Sequence, residues 1–226
     1  MNLKQSPRRA FIQKITGSLA ALGLLSIPKA MQAAPSLYDA ATGLGDDDLF
    51  KKLKGKHKIV FDVPHPNEVF PFAWPLIYLM TNEKTGTPMK DSNAVVVLRH
   101  EGIGYAFDDR IWGKYNFGTA FKANDPRTKK TATVNPFWNT KLGDYSVPGV
   151  GAIPIGIKDL QASGVKFVVC DMAMTVYSAA LANGMKPEDV KKDWMSGLLP
   201  DITVVPSGVW ALGRAQENGC GYIFAG

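Results

Sequence analysis

The sequence predicts an α/β domain built on a mainly parallel, doubly wound sheet of five strands. Five short apolar runs, at 58–63, 93–99, 165–170, 202–206 and 221–225, have the length and composition of strands buried on both faces. Segments with helix start and stop signals separate them, and strand alternating with helix is the pattern of a parallel sheet covered on both sides. No internal repeat interrupts this order.

Residues 1–34 read as a twin-arginine signal peptide. Ser6-Pro7-Arg8-Arg9-Ala10-Phe11-Ile12 carries the paired arginines, and an apolar run, 15–27, follows that is too short for a stable membrane helix. The small residues of 30–34 suit a signal peptidase, so the mature domain is expected to span 35–226 and to work in the periplasm after folded export by the twin-arginine translocase. Of the 26 lysines and arginines, five lie in this leader, which leaves 21 against 20 acidic residues. A near-neutral mature chain argues against a nucleic-acid partner. About 190 residues are enough for one well-buried core. There is no second long apolar segment, which predicts a soluble mature protein.

Residues 35–56 form a lead-in with a short helix near 47–53. The first strand, 58–63, ends at Pro64. A helix follows over 72–80, where Pro71 and Pro75 suit only a first turn. The second strand, 93–99, is expected at a sheet edge. The stretch 106–148 holds Trp112, Tyr115, Phe117, Phe121, Phe137 and Trp138. It is too long for an ordinary connection, and as a surface loop it would expose much apolar area. It is therefore expected to be a lid or an oligomer contact. A helix over 151–162 leads to the third strand. Helices over 175–183 and 186–195 precede the fourth strand, Ser207 caps the next helix, and Asn218-Gly219 stops it before the last strand.

In an open parallel sheet, ligands bind beyond the carboxyl ends of the strands. With a flavodoxin-like strand order, 2-1-3-4-5, the first, third and fourth strands are neighbours. His65, Cys170-Asp171 and Ser207-Gly208 would then share one pocket. Cys170 ends a strand and enters a helix, whose positive end favours a thiolate. The competing reading is an inert core cysteine. His65 would sit beside the thiol. Ser207 is most simply an N-cap, with the amides after it able to meet an anion. His100 ends the second strand, as a pocket histidine or a solvent-facing one. Cys220 precedes the last strand, at the amino end of the sheet, so an intramolecular Cys170–Cys220 disulfide is not expected. No zinc spacing occurs, so no metal is expected. Glu101-Gly102-Ile103-Gly104 lacks the third glycine of a nucleotide loop.

The segment Phe167-Val168-Val169-Cys170, with Ala182-Asn183-Gly184-Met185, Val205-Pro206-Ser207-Gly208-Val209, Ala215-Gln216-Glu217-Asn218-Gly219 and Tyr222-Ile223, resembles the DsrE/DsrF-like sulfur-relay family. The resemblance implies a flavodoxin-like fold, trimers or hexamers, and a persulfide on the residue matching Cys170. The expectation is an exported protein that binds or carries sulfane sulfur on Cys170, a sulfurtransferase-like carrier exchanging sulfur with a small molecule or a protein. His65, Asp171, Ser207, Gly208 and His100 would line its site, with no resident cofactor. The alternatives are a non-catalytic periplasmic binding or oligomeric module, and a flavin-type cofactor at the same strand ends.

Overall fold

Valine-rich runs set the centre of the molecule. In the computed structural model, which describes residues 48–226, Ser92–Leu98 (β2) is buried from Ala94 onward on both faces. On one side it pairs with His57–Val63 (β1), and on the other with Lys166–Cys170 (β5). Ile202–Val205 (β6) adds outside β5, and Gly221–Phe224 (β7) adds outside β1. All these pairs are parallel. The expected leader and its cleavage site lie outside the described residues.

The strand order is β6-β5-β2-β1-β7. The α/β fold with a parallel five-stranded sheet is as the sequence predicts, but the order is not. Numbered within the sheet it runs 4-3-2-1-5 rather than 2-1-3-4-5, and the second strand is central rather than at an edge. Three successive crossovers step the same way, and only the last returns across the sheet. Right-handed crossovers that step one way place their helices on one face, and a reversed step places its helix on the other.

The first face carries Phe70–Lys84 (α2), Ile157–Ala162 (α5), Asp171–Ala180 (α6) and Pro187–Ser196 (α7). Phe72, Leu76, Leu160, Met174 and Trp194 from these helices share a core with Phe61, Val96, Leu98, Phe167 and Val169 of the sheet. The second face carries Gly208–Glu217 (α8). Its Ala211, Leu212 and Ala215 pack with Val60, Val95, Val97, Val168 and Val205. Phe50, from the short helix Asp48–Lys51 (α1), completes this smaller core.

Helix α2 starts earlier than its prolines suggest. Pro71 lies in the first turn, but Pro75 sits inside the helix. A proline there forfeits a backbone bond at a cost of about 3 kcal/mol. Burial of Phe72, Ala73, Pro75, Leu76 and Leu79 on one side offsets it. Helix α6 also starts earlier, directly after β5, because Cys170 caps it. Residues 151–152 are not helical: Gly151–Ala152 (β4) pairs with Ser146–Val147 (β3) in a small antiparallel hairpin.

The aromatic stretch is neither a lid nor an exposed contact. It folds as Asp109–Lys114 (α3), Phe117–Ala120 (α4) and turns, all following a 3₁₀ segment, His100–Ala106. Trp112, Phe117, Phe121 and Phe137 are each at most 1 % exposed. Phe117 lies 4.9 Å from the Trp194 ring, and Phe72 and Phe137 stack at 4.0 Å. The rings extend the chain's own core over α7, so the apolar surface that suggested a neighbouring subunit is already covered.

Candidate functional site

The switch point of the sheet lies between β5 and β6. The chain leaves β5 into α6 on one face and leaves β6 into α8 on the other. Between such diverging connections a crevice opens. A cleft of about 280 Å³ occupies it, lined by Arg99, His100, Cys170, Met172, Ala173, Val176, Tyr177, Ser207, Gly208 and Val209. A larger hollow of about 570 Å³, near Asn93, Lys166 and Thr203, opens at the amino ends of the strands, away from the edge where parallel sheets bind ligands.

Cys170 is the N-cap of α6. Its Sγ accepts a hydrogen bond from the Ala173 amide at 3.2 Å, and the residue is 6 % exposed. Ser207 is the N-cap of α8, and its Oγ accepts from the Trp210 amide at 3.2 Å. First-turn amides have no acceptor within their own helix, so two positive helix ends face one small cleft. Gly208 is required by contact: a Cβ there would fall 2.4 Å from Cβ of Arg99.

The histidines exchange places relative to the expected strand order. With β2 between β1 and β5, the end of β1 is about 10 Å, two strand spacings, from the end of β5. His65 therefore does not join Cys170. Its ring packs edge-on against Phe224 at 5.9 Å, on the β7 side. His100 lines the cleft instead, in a left-handed backbone conformation at φ 48°. Its Nδ1 is hydrogen-bonded to the Tyr177 hydroxyl. Asp171 is buried but turned to the next helix, where Lys191 Nζ lies 2.6 Å from its carboxylate.

Arg99 and Asp62 belong to this end of the sheet and were not foreseen as a pair. The carboxylate of Asp62, in a residue 1 % exposed, accepts from Arg99 Nε at 2.6 Å and Nη2 at 2.9 Å. It also accepts from the Tyr222 hydroxyl at 2.7 Å. The hydrogen bond to Asp62 holds the Arg99 guanidinium more firmly protonated than usual. The signal was present: opposite charges in two apolar strands are seldom buried unpaired.

Both cysteines are free. Cys220 lies at the other end of the sheet, where burial pushes its thiol up from the ordinary value against the opposing pull of Lys58. Among the described residues no group of three or more His, Cys, Asp or Glu is placed to hold a metal ion.

No family model matches the chain, and no curated protein matches it. Among solved structures it is similar to a protein of unknown function from Methanobacterium thermoautotrophicum. The two are 17 % identical, and the match covers 75 % of this chain and 99 % of that one at a TM-score of 0.40.

Proposed function

We propose that the protein is an exported sulfur carrier of the DsrE type, holding sulfane sulfur as a persulfide on Cys170. The observation that carries this reading is the bond from the Ala173 amide to Cys170 Sγ, made inside the switch-point cleft. The bond places Sγ at the amino end of a ten-residue helix, beside the cleft, and a thiol must react with sulfur as its thiolate. In the reaction, the thiolate attacks a terminal sulfur of a polysulfide. A Cys–S–S bond forms, the next S–S bond breaks, and the shortened polysulfide leaves with the electron pair. The Ala173 amide and the α8 amino end lie where the transferred sulfur would sit.

The second reading is a binding module without covalent chemistry. It is favoured by the lining, in which Met172, Ala173, Val176 and Val209 present mostly carbon. Alkylation separates the two. The carrier reading predicts that iodoacetamide modifies Cys170 in the native protein much faster than Cys220. Modification of Cys170 only after denaturation would leave the binding module. Light scattering tests the trimer or hexamer that the resemblance implies.

A further inference from the structure

The cleft is unequal in its chemistry. Val176, on α6, and Val209, on α8, stand on its two walls and are 56 % and 67 % exposed. Met172 and Ala173 continue the same surface. Of the polar groups on the rim, His100 and Tyr177 are bonded to each other, and Ser207 is spent on its own helix. Arg99 differs. Asp62 takes its Nε and Nη2, and no hydrogen bond engages its Nη1 among the described residues. The Arg99 stem is pressed against Gly208, at the start of α8, which anchors the guanidinium at the cleft.

An inorganic polysulfide gains nothing from two exposed valines and a methionine. A ligand with an apolar body does, by about fourfold in affinity for each buried methylene. We propose that the cleft selects an organic sulfane donor of the thiosulfonate type. Its apolar body lies over Met172, Val176 and Val209, and its anionic end meets Arg99 and the two helix amino ends. This rests on the reading of Cys170 as the sulfur carrier. The step balances without an external oxidant or reductant. The Cys170 thiolate attacks the outer sulfur of R–SO₂–S⁻, a Cys–S–S bond forms, and the bond to the sulfonyl sulfur breaks. The sulfinate R–SO₂⁻ leaves with the electron pair, so one thiolate and one thiosulfonate give one persulfide anion and one sulfinate.

The test compares benzenethiosulfonate, methanethiosulfonate and inorganic polysulfide as donors to the full chain. Sulfinate release and the mass of the Cys170 peptide are followed, with N-acetylcysteine as the reference for intrinsic reactivity. The benzene compound should be favoured over the methane compound by roughly tenfold more than it is by the free thiol. Val209→Ser and Val176→Ser, both on exposed positions, should erase that preference, read relative to each variant's own rate of alkylation by neutral iodoacetamide. The charge-neutral pair Asp62→Asn with Arg99→Gln should raise KM for both thiosulfonates alike, by more than any change in its own rate of alkylation. Equal preference for the two thiosulfonates, with polysulfide still loading Cys170, would overturn the donor class and leave the carrier intact. No loading from any donor would overturn the carrier itself.

Discussion

Cys170 ends β5 and Ser207 follows the end of its neighbour β6, yet the helices they cap leave the sheet on opposite faces. Both side chains accept a backbone amide three residues on. Ser207→Ala should therefore cost about 1 kcal/mol of stability through loss of the cap. Cys170→Ser keeps a capping atom and should be nearly neutral, whereas Cys170→Ala should not. Urea unfolding of the three variants checks this.

His65 and His100 are distinguished by the sheet order. His65→Ala should leave native alkylation of Cys170 unchanged, because β2 separates the two residues. His100→Ala removes a ring from the cleft and should slow it, by about threefold, through loss of a neighbouring polar group. Equal effects from both variants would contradict the placement.

The aromatic core over α7 predicts a large loss on truncation. Trp194 is fully buried against Phe107, Tyr115 and Phe117. Trp194→Ala should cost about 3–5 kcal/mol, and lower Tm by roughly 10 °C. Calorimetry reads both. A loss below about 1 kcal/mol would mean that these rings are not packed as described.

Gly118 reports on the same region. A Cβ there would lie 1.9 Å from the backbone oxygen of Ala132. Since backbone cannot swing aside, Gly118→Ala should destabilise by about 1–3 kcal/mol, measured in the same urea series.

Acid should loosen the junction of α3 and α7. The Asp193 carboxylate accepts from Lys114 Nζ, the Tyr115 hydroxyl and Arg110 Nη1, each at 2.8 Å. The Lys114 bond, with those of Tyr115 and Arg110, holds its carboxyl well below the ordinary carboxylate range. A depressed folded value gives stability that is full above the unfolded pKa, about 4, and is lost as pH falls through the folded one. Asp193→Asn should cost about 1 kcal/mol at neutral pH, and its difference from the parent should shrink below about pH 4. Stability curves against pH for the two proteins test the sign.

The strands were legible because each is a short apolar run, the three central ones largely buried, and 58–63 against the observed His57–Val63 shows how closely such a run marks its element. Their order was not, because composition does not tell which way a crossover steps. That single ambiguity exchanged His65 for His100 at the cleft. Cys170, Ser207 and Gly208 were legible together because they end or follow strands that remain neighbours in either order. The aromatic stretch misled because its partners, Trp194 and Phe72, lie far away in sequence. Asp62 and Arg99 were visible only as strand residues until the register brought them together.

The most direct measurement is the intact mass and peptide map of the native full chain after exposure to polysulfide without reductant. One added sulfur is expected on the Cys170 peptide, removed by reductant, absent from Cys170→Ser and retained in Cys220→Ser. A native protein that gains no sulfur at Cys170, while the same thiol reacts once unfolded, would contradict it.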